Sequence, residues 1–312
     1  MPGEMEPPPK RRETARIAAR HFRIRVCEEA NRRPGCAGSK VPHARRRGFP
    51  ANGSLPRGAR KAVGANGIGR GMGEMKKAII VGASSGIGRE LAAILSREGY
   101  AVGLAARRLH LLEDLKNELR GPVFVQAIDV SDLPASMGLL ERLIEAMGGL
   151  DLMVVSAGTG FINPDLGWAE EKATIDVNVS GFAAMANVAF QHFKRIGRGH
   201  LVGITSIAAL RGGWDAPAYN ASKAFAANYL EGLRIKAARA GLPIVVTDIQ
   251  PGFVDTAMAR GEGLFWVAPP RKAAEQIVAA IRRKAARVYV TRRWRLVAWL
   301  LRLLPGFVYR RL

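Results

Sequence analysis

Lys76-Lys77-Ala78-Ile79-Ile80-Val81-Gly82-Ala83-Ser84-Ser85-Gly86-Ile87-Gly88 is the stretch that decides the fold. Four consecutive apolar residues fit a strand buried on both faces, since a half-solvated strand would alternate apolar with polar. The glycines end that strand in a tight turn, and 87–97 beyond them read as an amphipathic helix. Outward from this unit the same alternation recurs. Strands are predicted at 77–82, 101–106, 123–127, 151–155, 199–205, 244–249 and 287–290. Helices are predicted at 87–97, 110–119, 134–147, 168–194, 217–240 and 271–284. Strands alternating with helices imply βαβ units. The expected architecture is α/β, one domain over 75–290, with a doubly wound parallel β-sheet and helices on both faces. Such a sheet binds ligands at the carboxyl ends of its strands.

The net charge of +22 is unevenly placed. Residues 1–74 hold 17 basic and 6 acidic residues and 271–312 hold 12 and 1, so each flank is +11. The middle, 75–270, holds 19 of each and is neutral. Charge confined to the flanks argues against nucleic acid as a partner of the core. Residues 1–74, with Pro7-Pro8-Pro9 and many Gly and Arg, show little apolar periodicity. They are expected to be a disordered basic extension, with at most a short helix over 14–30. The abrupt change at Met75 resembles a protein start, so Met72 or Met75 is expected to be the initiator. The rival, an Arg-rich transit peptide, fits poorly with Glu28 and Glu29. Cys27 and Cys36 are the only cysteines, and no two of the five histidines stand at ligand spacing, so no metal is expected. A cytoplasmic location is expected, since the chain has neither a run of eighteen apolar residues nor the apolar centre of a secretory signal.

Three motifs carry chemistry. Gly82, Ser84, Ser85, Gly86, Ile87 and Gly88 form a turn directly after a strand, and the helix that follows aims its free amides and positive dipole end at a phosphate. The second strand ends in Ala106-Arg107-Arg108, where an NAD site usually places an acid for the ribose 2′-hydroxyl. Arginine instead suits a 2′-phosphate, Arg107 foremost, which favours NADP(H). Finally, Tyr219 and Lys223 stand four residues apart, one turn on one face of a helix. A nearby cation stabilises phenolate and lowers the tyrosine's pKa, which would let Tyr219 exchange a proton with a carbonyl or alcohol oxygen.

With Asp129-Val130 after the third strand, Ala157-Gly158 after the fourth, Asn178 in the next helix, Ser206 after the fifth and Pro251-Gly252 after the sixth, the chain resembles the short-chain dehydrogenase/reductase family. The likeness spans nearly all of 76–290. It implies a Rossmann-like fold, an NADP(H)-dependent reductase or dehydrogenase, and a homo-oligomer, dimer or tetramer. Tyr219 would be the general acid/base. Lys223 would bind the nicotinamide ribose and tune Tyr219. Ser206 would polarise the substrate oxygen, and Asn178 would hold a water that relays protons from Lys223. Asp129 would bond the adenine amine beside Val130, and Ala157-Gly158 would lie along the cofactor. Pro251, Gly252, Phe253, Val254 and Thr256 would pass near the nicotinamide carboxamide. One departure stands out: the family's Asn-Asn-Ala-Gly is Val155-Ser156-Ala157-Gly158 here, so an amide that braces the sheet is missing. Ser85 also replaces a basic residue of many NADP-preferring relatives, which leaves the 2′-phosphate to Arg107 and Arg108.

Substrate contacts are expected from 159–162, 210–215 and 253–268, with Phe161, Trp214 and Phe253 foremost and Met258, Phe265 and Trp266 nearby. That lining suits an apolar carbonyl or secondary alcohol. Residues 291–312 combine Trp294 and Trp299 with six arginines around a short apolar run. They read either as a peripheral membrane anchor or as a helix over the cleft or at a subunit interface. The function expected is NADPH-dependent carbonyl reduction; the alternative is a non-catalytic nucleotide-binding scaffold or sensor on the same fold.

Overall fold

The computed structural model describes residues 75–256, 258 and 265–311. The expectations for 1–74, and residues 257 and 259–264 of the expected substrate segment, lie outside the described residues. The strands are Lys77–Val81 (β1), Ala101–Ala106 (β2), Val123–Ala127 (β3), Leu152–Val155 (β4), Gly199–Ile204 (β5), Ile244–Pro251 (β6) and Arg287–Val290 (β7). They form one sheet in the order β3-β2-β1-β4-β5-β6-β7, with every pair parallel. The chain is thus a Rossmann-like α/β domain. The order reverses between β1 and β4, which opens a crevice at their carboxyl ends.

Alternate residues of β1 enter different cores. Ile79 and Val81 pack with Leu133–Ala146 (α3), Phe182–Ile196 (α5) and Pro217–Arg239 (α6). Ala78 and Ile80 pack with Gly86–Arg97 (α1), Leu109–Glu118 (α2) and Pro270–Arg282 (α7). All four are fully buried, and each large one stabilises the fold by roughly 1.5–3 kcal/mol over exposure.

The helix expected over 168–194 is interrupted. Trp168–Ile175 (α4) runs into a π-helical turn, Asp176–Gly181, before α5. Gly181 explains the close packing there, since a Cβ on it would stand 2.6 Å from the Val130 carbonyl oxygen. The extra residue turns Asn178 inward, where it is buried. After β7 come Trp294–Leu303 (α8) and Gly306–Tyr309 (α9).

Candidate functional site

A cleft of about 1160 Å³ opens at the carboxyl ends of the strands. That exceeds the roughly 300–1,000 Å³ of a single small-molecule pocket. Its floor is the β1–α1 turn. Gly82 has φ +93°, and a Cβ there would lie 2.5 Å from the Ala157 amide, so the two strand ends touch backbone to backbone. Gly88 sits against the Gly82 carbonyl for the same reason. Gly86 faces Thr256, whose methyl a Cβ would approach to 3.0 Å. Ser85 precedes α1 in extended backbone and makes no side-chain capping bond, which leaves first-turn amides free beside the cleft wall at Ser84, Ser85, Gly86 and Ile87. Glycines where side chains would collide, together with open amides, fit a diphosphate.

The arginines after β2 differ in placement. Arg108 donates to the Ser84 and Ser85 hydroxyls at 2.9 and 3.1 Å, folding over the turn. Arg107 is exposed at the cleft rim. Across from them, burial pushes the Asp129 carboxyl up. Two hydrogen bonds from Ser131 and the charge of Arg107 outweigh it, leaving Asp129 below its ordinary range. Val130 is buried beside it.

Tyr219, Ser206 and Lys223 share the opposite wall. Ser206 stands two residues beyond β5, and its oxygen accepts the Ala208 amide at 3.1 Å, which starts the 3-10 turn Ile207–Leu210. Burial raises the Tyr219 phenol above its usual value, and a hydrogen bond with Ser206 partly offsets this. The expected lowering by Lys223 does not arise from the chain's own groups. Lys223 Nζ lies 5.6 Å from the centre of the Tyr219 ring, over its face, and donates to the Ile204 carbonyl at 3.3 Å. Burial brings Lys223 itself down to about 8.

Asn178 ties the two walls together. Its amide accepts from Thr159 N at 2.8 Å and donates to Thr159 O at 2.6 Å. It also donates to Ser222 Oγ at 3.0 Å, and Ser222 donates to the Tyr219 carbonyl at 2.7 Å. This chain braces the segment after β4, where Ser156 replaces the family's asparagine. Gly158 lies within reach of both Asn178 and Lys223, since a Cβ on it would stand 3.3 Å from each.

Phe161, Phe253, Met258 and Phe265 line the cleft, as do Pro251, Gly252 and Val254. Trp214 does not join them; its side chain is 80% exposed. Its place is taken by residues the sequence reading left open. Trp294, Val297, Leu301 and Tyr309 form a wall, with the Trp294 indole against Gly252 and stacked on Phe265 at 5.1 Å. Arg211 holds that wall in place. Its Nε donates to Leu301 O at 2.8 Å, its Nη2 donates to Leu304 O, and it lies over the Tyr309 ring. Of the two readings of 291–312, the helix over the cleft is the one its inner face shows.

A buried cluster behind Ser206 was also missed. Asp248, fully buried in β6, accepts from Thr205 Oγ1 at 2.6 Å, Gln250 Nε2 at 2.8 Å and Arg287 Nε at 2.9 Å. Thr205 is thereby fixed next to Ser206. The only local signal is polar Thr247, Asp248 and Gln250 inside an otherwise apolar strand.

The family model described as short chain dehydrogenase matches residues 76–263. An uncharacterized oxidoreductase of Myxococcus xanthus is 39% identical over 194 residues, 60% of this chain and 76% of that protein. One from Mycobacterium tuberculosis is 35% identical over 227 residues, 69% of this chain and 88% of that protein. Among solved structures, an alcohol dehydrogenase from Thermococcus sibiricus, complexed with 5-hydroxy-NADP, is 26% identical with a TM-score of 0.61, covering 70% of this chain and 96% of that one. Sheet order, glycine turn and matched family agree: the chain is an oxidoreductase of the short-chain dehydrogenase family.

Proposed function

We propose that the chain is an NADP(H)-dependent oxidoreductase that interconverts a ketone or aldehyde with an alcohol on an apolar substrate. The observation that carries this reading is the convergence of Tyr219, Ser206 and Lys223 on one wall, with Asn178 tied to both sides of the cleft. In reduction, Tyr219 gives its phenolic proton to the carbonyl oxygen; in oxidation it takes a proton back. Ser206 accepts from Ala208 N and is hydrogen-bonded to Tyr219, so the two hydroxyls stand together where both can bond the substrate oxygen, which Ser206 polarises. Lys223, at about 8, remains mostly protonated at neutral pH and holds positive charge beside the phenol. Asn178 orders the relay behind it. The cofactor, when bound, supplies or accepts the hydride.

Cofactor choice rests on Arg107 and Arg108 following Ala106, with Arg108 folded onto Ser84 and Ser85. The Thermococcus relative's complex with an NADP derivative supports it. Gly82, Gly86, Ile87 and Gly88 cradle the diphosphate in this reading, Asp129 and Val130 the adenine, and Ala157, Gly158, Pro251, Gly252, Val254 and Thr256 the nicotinamide half. The apolar lining from Phe161 and Phe253 selects an apolar substrate. The catalytic domain is taken as 75–290, closed on one side by 291–312, with 1–74 outside the chemistry. A homodimer or homotetramer in the cytoplasm, with peripheral membrane contact through 291–312, completes the proposal.

The test is NADPH against NADH oxidation with a panel of aldehydes, ketones and 3-oxoacyl thioesters. Tyr219→Phe should abolish turnover and keep NADPH binding, and Arg107→Ala with Arg108→Ala should raise the KM for NADPH far more than for NADH. Full turnover by Tyr219→Phe would falsify the mechanism, and equal effects on the two cofactors would remove the 2′-phosphate assignment.

A further inference from the structure

Helix α8 has two apolar faces. The inner one, Trp294, Val297, Ala298 and Leu301, packs on Ile207, Leu210, Phe253 and Tyr289. The outer one carries Leu296, Trp299, Leu300 and Leu303, which are 70%, 65%, 53% and 61% exposed. At about 100° per residue these four share one arc of roughly 100° opposite Trp294. Phe307, 62% exposed, follows in α9. Arg295 and Arg302, seven positions apart, run along one flank between the faces, and Arg292, Arg293, Arg310 and Arg311 stand at the ends. Residues 291–312 contain these six arginines and no acid.

This face is held firmly in place. Arg211 anchors the carbonyls of Leu301 and Leu304, and the Tyr309 hydroxyl donates to Gly212 O at 2.7 Å. The cleft mouth adjoins the N-terminal end of the helix. The Arg293 guanidinium lies 5.8 Å over the Trp266 ring, and Phe265, Trp266 and Val267 are 48%, 44% and 41% exposed. Contiguous apolar surface of this kind, rimmed by charge, marks a docking site.

We propose that the outer face of α8, with Phe307 and the Trp266 rim, lies in the interfacial plane of an anionic lipid bilayer, and that the cleft takes carbonyl or alcohol substrates that partition into that bilayer. The second half rests on the reductase reading above. Charge selects the occupant. A second copy placed on this face would bring two acid-free sets of six arginines together, whereas anionic headgroups neutralise them. Tryptophan and arginine flanking leucines are the composition of an interfacial helix. Ten residues span about 15 Å, half a hydrocarbon core, so the helix lies flat. No helix among the described residues is long and apolar enough to cross a membrane. The division of labour is complete, because Trp294, Val297 and Leu301 line the cleft and the four outer residues do not.

The experiment uses the full chain and vesicles of phosphatidylcholine, alone or mixed with phosphatidylglycerol. Co-sedimentation should occur with the mixed vesicles only and be reversed by salt. The double variant Leu296→Asp, Trp299→Asp should lose at least about tenfold in vesicle binding. It should keep NADPH-dependent reduction of a small water-soluble ketone and lose reduction of a long-chain ketone dissolved in the mixed vesicles. Failure of the parent to sediment with mixed vesicles overturns docking. So does a solution dimer that the double variant dissociates. Vesicle binding without turnover of any carbonyl keeps docking and removes the reductase reading, and equal long-chain activity in parent and variant removes the substrate half.

Discussion

Gly160 lies face to face with the proposed acid. A Cβ built on it would stand 2.6 Å from Tyr219 Cδ2 and 3.1 Å from Cε2, where ordinary contact begins at about 3.4 Å. Gly160→Ala therefore forces the ring and the loop apart by roughly 0.8 Å (3.4 less 2.6). The loop has little freedom to yield, because Thr159 is held through both its amide and its carbonyl by Asn178. Asn178 is in turn bonded to Ser222, which is bonded to the Tyr219 carbonyl, so both sides of the contact hang on one hydrogen-bonded chain. Gly160 is not among the residues with positive φ, so alanine brings no backbone strain that would obscure the result. A misplacement near 1 Å of a reacting group costs on the order of 10²-fold. The expected outcome is a fall in kcat of about 30–100-fold, or roughly 2–3 kcal/mol of barrier. The NADPH dissociation constant should stay within about twofold, because the diphosphate cradle lies at the other end of the cleft. Steady-state NADPH oxidation and a fluorescence titration of NADPH measure the two quantities, and circular dichroism confirms the fold. If Gly160→Ala retains kcat within about twofold of the parent, Tyr219 is not the positioned acid inferred from this geometry.

Two further outcomes concern stability. Lys223 is lowered from 10.5 to about 8 by burial, so its charged form is disfavoured in the folded state, which costs on the order of 3 kcal/mol at neutral pH. The penalty is full below about 8 and fades as pH rises from there towards 10.5, where the unfolded chain also loses its proton. Lys223→Met should thus gain up to about 3 kcal/mol in urea unfolding at pH 7, with no turnover, and the gain should shrink at alkaline pH; a variant less stable than the parent at pH 7 contradicts the burial cost. Asp248→Asn should lose about 3 kcal/mol in the same assay, at the low end for a broken buried pair because Arg287 keeps Glu231 and partial solvent contact. A loss under about 1 kcal/mol would mean that Asp248 holds neither Arg287 nor the end of β5 in place.

What was legible in the sequence and what was not divides by the distance over which each residue finds its partner. β2, β3 and β7 begin and end where the apolar runs predict, since a strand announces itself within four to six residues. Tyr219 and Lys223 are likewise a local pair, one turn apart. The π-helical turn at Asp176–Gly181 left no mark on the pattern; it ends where Gly181 packs closely on Val130 from another part of the chain. Asp248 meets Arg287 across 39 positions, and Arg211 meets Leu301 across 90. Local periodicity says nothing about such pairs, which is why 291–312 stayed open between two readings and why Trp214 rather than Trp294 was expected in the cleft. The consequence is specific to this site. The proposed proton-transfer group is specified within a few residues and shared in outline with the family, whereas the wall that would choose the substrate depends on Arg211 holding α8 against Gly252 and Phe253. Substrate preference is then set by a contact that can be altered without touching Tyr219, Ser206 or Lys223.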